Sequence, residues 1–344
     1  MSLPLDMILF IVEKLILISL VFSGTLVIAM YTTLAERKFA AFFQDRIGPN
    51  RAGPFGLLQP LADGVKFFFK EEFFPAKANK FLFLLGPTVS MIAAAMALAV
   101  LPWGNTLILF GREIALQITD LDIGVLYLFG VVSLGVYGIM IGGWASNNKY
   151  SLMSTIRASS QMISYELAMA VALGTLVMVT GTLSLREIVL FQAQGHWNIF
   201  YQPIGFLIFI VCVYAETNRT PFDLPECEAE LIGGYHTEYS SMKLGFYLFA
   251  EYINLFIASV VLATLYFGGF QFPFISQLGL SHNLMTLIGV GVLFAKIFFF
   301  IFLFIWVRWT VPRFRYDQLM RLGWKILLPL AIINALVTGF FLLL

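Results

Sequence analysis

The chain has 344 residues, long enough for about two soluble domains. It is 60% hydrophobic and 12% charged, against roughly 45–50% and about 25% in an average soluble domain. Its 21 Lys and Arg and 20 Asp and Glu leave a formal net charge of +1. That excludes a globular surface tiled with charge, and no charge excess argues for a nucleic-acid partner. With 36 phenylalanines and a mean hydropathy of +0.87, the composition is that of an integral membrane protein.

The first apolar stretch, about 8–34, follows almost no basic residues and is not closed by a small-residue cleavage site. It is read as a retained first span, not a signal peptide. Glu13 and Lys14 near its start are accounted for by snorkelling to the interface. The next segment, 35–80, contains Asp45-Arg46-Ile47-Gly48-Pro49-Asn50-Arg51. Proline fixes φ and glycine permits positive φ, so Arg46 and Arg51 are expected on a rigid bend. From Leu57 to Lys70, Leu57, Leu58, Leu61, Ala62, Val65, Phe68 and Phe69 recur at three-to-four spacing, away from Gln59, Asp63, Lys66 and Lys70. Such a helix lies along the membrane interface. It either anchors the loop or forms the wall of a site reached from the lipid.

Further apolar stretches near or above the ~20 residues that cross a bilayer follow at about 81–101, 121–143, 162–180, 244–267, 284–306 and 326–344, with a short one at 203–215. Eight spans in one transmembrane domain, 1–344, are expected. The segments 35–80, 144–161, 216–243 and 307–325 hold 17 of the 21 Lys and Arg, and only Arg112 and Arg186 lie in the opposite connectors, 102–120, 181–198 and 268–283. The positive-inside rule places the four basic segments in the cytoplasm and both termini in the periplasm. The opposite connectors read as plain links.

Ionisable groups interrupt the apolar sequence. Glu166 follows Arg157 and Gln161 into the fourth span, Glu251 lies in the sixth and Lys296 in the seventh. An unpaired charge there costs about 2.5–3.5 kcal/mol on insertion scales, so each must meet a partner or a polar cavity, or be neutral. The 216–240 segment sets six carboxylates, Glu216, Asp223, Glu226, Glu228, Glu230 and Glu238, against one arginine, Arg219. Pro225 can open a short helix that puts Glu226 and Glu230 on one face. Crowded carboxylates raise one another's proton affinity, which suits a group that exchanges protons near neutrality; the plain alternative is an acidic loop facing water or a basic partner. Two cysteines, Cys212 and Cys227, and three scattered histidines provide no disulfide framework, iron–sulfur ligand set, zinc site or haem pair. No phosphate-binding loop, dinucleotide fingerprint or nucleophile elbow is present.

Three stretches carry a family resemblance: ERK with QDRIGPNRAGPFGLLQPLADGVK within 36–66, GWASNNKYSLMSTIRASSQMISYE at 143–166 and ETNRTPFDLPECEAELIGGYHTEYS at 216–240. On these the whole chain resembles the H subunit of bacterial respiratory complex I, the counterpart of mitochondrial NADH dehydrogenase subunit 1. The resemblance implies an all-α polytopic inner-membrane protein with an interfacial helix, docked to other membrane-arm and peripheral-arm subunits. It implies quinone as substrate, with FMN and iron–sulfur clusters only in partner subunits. Arg37, Asp45, Arg46, Asp63, Lys66 and Phe68 would belong to the quinone chamber or its entrance. Glu166, Glu216 and Glu251 would form a buried carboxylate path, and Glu226, Glu228 and Glu230 would sit in the loop that couples quinone chemistry to it. Headgroup-binding residues would come from a peripheral-arm subunit. Related subunits of membrane-bound hydrogenases and other quinone-linked dehydrogenases would share the carboxylates but depart from the first motif, which is intact here. A secondary transporter would need an internal repeat, which the unequal loops do not show.

Overall fold

In the computed structural model, which describes residues 5–109, 111–225, 231–273 and 279–344, the first element, α1, is a helix of 39 residues, Leu5–Phe43. It outruns the apolar stretch because Glu36, Arg37 and Lys38 are good helix formers and nothing before Gln44 breaks the ladder. It ends where Asp45 takes a positive φ of 54°. The Arg46 amide donates to Ala41 O (2.9 Å) and the Asp45 amide to Phe42 O (3.3 Å), which closes the last turn as a Schellman motif. The first basic segment is thus helical at its start, and Glu36 and Arg37 belong to α1.

After α1 the chain doubles back tightly. At Gly56, with φ of 78°, a Cβ would lie 2.2 Å from Pro49 O, so only glycine fits. Helix α2 (Gln59–Phe69) follows. Its apolar stripe faces away from the protein: Leu57, Leu61, Val65 and Phe68 are all exposed. The other face packs on α1 and on the later helix Ser241–Tyr266, and the Ser241 hydroxyl donates to Phe67 O at 3.0 Å.

Helices α3 (Lys80–Ala97) and α4 (Gly124–Ala145) pack along most of their length. Small residues permit it: a Cβ on Gly86 would stand 2.7 Å from Gly142 Cα, and one on Gly138 would stand 2.2 Å from Ser90 Oγ. The first opposite connector, expected to be a plain link, is a hairpin of β1 (Thr106–Leu109) and β2 (Arg112–Ala115), with Ile108 opposite Glu113. Asn283 exchanges two hydrogen bonds with the Ile108 backbone, at 2.9 and 2.8 Å. Arg112 pairs with Asp6, and the Lys14 ammonium donates to Gln117 O at 3.0 Å. Lys14 therefore bonds the backbone after the hairpin.

Helix α5 (Lys149–Thr180) is capped by Asn148 and ended by Gly181 in the left-handed region. The basic segment expected at 144–161 is accordingly only a short turn, and Arg157 lies two turns inside α5. Short helices α6 (Leu185–Gln194) and α7 (Asn198–Tyr201) lead into α8 (Pro203–Glu216), which has 14 residues. Helix α9 (Ser241–Tyr266) is the core of the bundle; every residue from Leu255 to Tyr266 except Ala258 is buried. Helices α10 (His282–Thr310), α11 (Tyr316–Arg321) and α12 (Leu328–Leu343) complete it, the last two joined by a π-helical turn over Leu322–Leu327. The basic 307–325 segment is therefore mostly helical. Among the described residues, seven helices are long and apolar enough to cross a membrane. The chain is an all-α polytopic membrane protein.

Candidate functional site

The helix register of α1 puts Arg37 on a face turned to α2. There its Nη1 pairs with Asp63 Oδ2 at 2.7 Å, and Gln59 Nε2 donates to Asp63 Oδ1 at 3.1 Å. Beside this pair opens a cavity of about 280 Å³, walled by α1, α2 and α9 and reached by Arg37, Asp63, Lys66 and Tyr252. Its remaining wall is largely apolar: Met30, Phe67, Leu248 and Phe249. An apolar slot with a few charged groups on one rim is what an amphiphile with a long tail and a polar head requires. Asp45, Arg46 and Phe68 do not line it. Arg46, expected on a rigid bend, is exposed, and its Nε donates to Gln44 Oε1 at 2.7 Å. The bend is there, but it holds the Arg46 backbone and leaves the side chain in solvent. Phe68 points outward and is 70% exposed.

Behind Tyr252 lies a buried charge cluster. Arg219, fully enclosed, sends Nη1 to Glu36 Oε2 at 2.7 Å and Nη2 to within 3.1 Å of Glu251 Oε1. Arg308 Nη1 reaches Glu36 Oε1 at 2.5 Å, and the Tyr252 hydroxyl donates to Glu36 Oε2 at 3.0 Å. The Arg219 guanidinium also stacks over the Tyr252 ring, 4.4 Å from its centroid. Two arginines and two carboxylates from α1, α9, α10 and the loop after α8 thus neutralise one another, as buried charges must. Nearby, Arg313 Nη2 binds Asp223 Oδ2 at 2.8 Å. Burial nevertheless pushes the Asp223 carboxyl above the usual carboxylate range, against Arg313 and the other arginines.

Glu216 ends α8 on the far side of Glu251. Gln161 of α5 fixes this point, its Nε2 donating to Ala215 O at 2.9 Å and to Phe222 O at 2.8 Å. Both Glu216 carboxylate oxygens are buried without a protein hydrogen-bond partner, as is Glu166 Oε1. Glu216 borders a small cavity of about 30 Å³ that also touches Asn218, Tyr247, Glu251 and Asn254. On its other side is a groove of about 450 Å³ between α4 and α5, into which Glu166 and Ser133 project. The small cavity exceeds the roughly 10–15 Å³ that a water needs. Three acids from three helices, Glu251, Glu216 and Glu166, thereby border two adjoining spaces, the groove between α4 and α5 being otherwise lined by apolar side chains. Tyr165, which donates to Leu319 O at 2.9 Å, and Ser164, which accepts from Trp324 Nε1 at 3.1 Å, pin α5 at this level.

Glu226, Glu228 and Glu230, and Cys227, lie outside the described residues. Glu238 accepts from Asn148 Nδ2 at 2.7 Å, away from the other acids. Lys296 is held by the backbone: its ammonium donates to Phe267, Gly269 and Gln271 carbonyls, each at 2.7 Å. The sequence reading missed Glu36, Tyr252 and Arg308. Among the described residues no group of three or more His, Cys, Asp or Glu is placed to hold a metal ion.

The family model for NADH dehydrogenase matches residues 15–339. The chain is 66% identical over 339 residues to an NADH-quinone oxidoreductase H subunit of Cytophaga hutchinsonii, covering 98% of both chains. It is 62% identical to the H subunit of Flavobacterium johnsoniae, covering 96% of this chain and 95% of that one, and 48% identical to an H subunit of Geobacter metallireducens, covering 95% of each.

Proposed function

The chain belongs to the NADH dehydrogenase family, and from that premise we propose that it is the inner-membrane subunit of a bacterial NADH:quinone oxidoreductase that walls the quinone path and couples quinone reduction to proton translocation. The observation that carries this reading is the continuity of the site. The cavity between α1, α2 and α9 shares Tyr252 with the Arg219–Glu36–Glu251 cluster, and Glu251 shares the small cavity with Glu216. A lipid-soluble quinone slides its tail along Met30, Phe67, Leu248 and Phe249, past the Arg37–Asp63 pair. Reduction to quinol takes two electrons and two protons, the electrons coming from flavin and iron–sulfur centres of partner subunits. This chain contributes no redox centre; it binds, guides and exchanges protons.

In this reading α8, with α7, makes up an eighth crossing, both termini are periplasmic, and α2 lies along the interface with its apolar stripe in lipid. Asp45, Arg46 and Phe68 belong to the rim facing the peripheral arm and the lipid. Glu226, Glu228 and Glu230 extend the proton-exchanging group into the cytoplasmic loop. A buried carboxyl without protein partners holds its proton or shares it with its neighbours, so a change at the quinone end can release or draw a proton through Glu251, Glu216 and Glu166. The test is Glu216→Gln in the assembled complex. It should leave NADH oxidation by artificial acceptors at the flavin end intact while slowing quinone reduction and proton translocation together. Normal pumping rate and stoichiometry would make Glu216 a structural acid only.

A further inference from the structure

At the cytoplasmic ends of α3, α4 and α5 lies an open hollow of about 660 Å³ bordered by Pro75–Lys77, Ser146–Lys149 and Glu238. Lys77 and Lys149 are exposed on its rim, and neither makes an ion pair among the described residues. Its one carboxylate, Glu238, is engaged by Asn148 Nδ2 at 2.7 Å. The hollow therefore presents two uncommitted ammonium groups to anything anionic. Directly below it the protein turns apolar side chains outward. Trp144 is 64% exposed, and Met140 and Tyr137 precede it at helical spacing on α4, while Phe81 and Leu84 are exposed on the first turns of α3. Tryptophan and tyrosine at the end of an outward apolar stripe mark the level of lipid headgroups, and basic pockets between helices on the cytoplasmic side suit anionic headgroups.

We propose that this hollow binds the phosphate of an anionic phospholipid, with Lys77 and Lys149 on the headgroup and the acyl chains along Phe81, Leu84, Tyr137 and Met140. The stripe is what selects a lipid over a free phosphate: the anion is held by two lysines at the membrane boundary, and the chains have an exposed apolar track to follow. The lipid lies away from the cavity of α1, α2 and α9, so it is a fixed structural ligand and not the quinone substrate.

The test uses the intact membrane complex in phosphatidylcholine nanodiscs carrying spin-labelled phosphatidylglycerol. The wild-type complex should immobilise about one more labelled lipid than the Lys77→Gln/Lys149→Gln variant. Affinity should fall roughly thirtyfold, the effect of removing two basic residues at a membrane surface, with quinone reductase activity unchanged. Lys77→Arg/Lys149→Arg should restore the bound fraction, which separates a lost charge from a disturbed fold. Inorganic phosphate at millimolar concentration should not displace the lipid. The proposal is overturned if wild type and double glutamine variant immobilise equal lipid, if phosphate competes as well as phosphatidylglycerol, or if a cross-linker at Lys149 captures a peripheral subunit seated in the hollow instead.

Discussion

At Arg219 one side chain neutralises two buried carboxylates from different helices, Glu36 of α1 and Glu251 of α9. Truncating it strands Glu251 and leaves Glu36 to Arg308 and Tyr252, and removing one partner of a buried pair costs about 3–5 kcal/mol. Arg219→Ala should therefore be lost from the assembled complex on a native gel. Arg219→Lys keeps the charge but not the planar fork or the stacking on Tyr252, and should assemble with a lowered melting temperature. Normal accumulation of the alanine variant would show that the cluster is not needed for the fold. Arg219 and Glu251 were legible in the sequence, one as the lone arginine of an acidic segment, the other as an acid in an apolar run. Glu36 was not, because hydropathy ends the first span before it. Its signal was adjacency to Arg37: neighbours on a helix point about 100° apart, so the two must meet different surroundings. His236 offers a second check at this scale. Burial holds its imidazole below the usual histidine range, whereas in the unfolded chain it titrates near 6.5. The unfolded state takes up the proton first as pH falls, so stability drops as pH passes below about 6.5 and is unaffected above it. Melting temperatures of wild type and His236→Gln, compared at about pH 7.5 and about pH 5.5, should show a smaller acid loss in the variant. Equal losses would assign the acid sensitivity elsewhere.

Helix α2 was readable as an element but not as a surface. The three-to-four apolar spacing gave its extent within two residues. Yet the stripe that a soluble protein would bury faces outward here, and the inward face is built from Asp63, Gly64 and Phe67. Periodicity reports that two faces differ; it does not say which solvent each meets. The same limit applies at α1 and α5, whose hydrogen-bond ladders run through charged residues at which a hydropathy window stops. Gly64 tests the role of the inward face. It borders the cavity, and a Cβ there would meet nothing within 4 Å. Replacing a mid-helix glycine also favours the helix by roughly 0.5–1 kcal/mol. Gly64→Leu should thus fold and assemble while its side chain fills part of the slot. The expected result is a KM for long-tailed quinone raised about tenfold or more, with a much smaller change for a short, water-soluble analogue, since about one to two kcal/mol of lost apolar contact suffices for a factor of ten. Equal effects on both quinones would place the slot off the substrate's path.

For the whole molecule, the partition of Lys and Arg and the placement of the acids are two readings of one asymmetry. The basic segments, the charge cluster and the hollow at Lys77 and Lys149 all lie at one end of the bundle. At the other end, Arg112 sits on a hairpin pinned to α10 through Asn283 and to α1 through Asp6. The hairpin itself was not legible, because four-residue strands without strong alternation leave no pattern to read. Its position still gives the orientation a sharp test. Glu113 stands exposed on β2, and Arg315 is exposed beside α11 at the opposite end. The native Cys212 is buried, so its own labelling should be slight. With Cys227 replaced by serine, an impermeant maleimide should modify Glu113→Cys in intact cells through the periplasm. Arg315→Cys should be modified only in inside-out vesicles stripped of the peripheral arm. The reverse pattern would invert the topology, and with it the side from which protons would reach Glu216 in the proposed function, because the positive-inside rule would then have been outweighed by assembly with the other subunits.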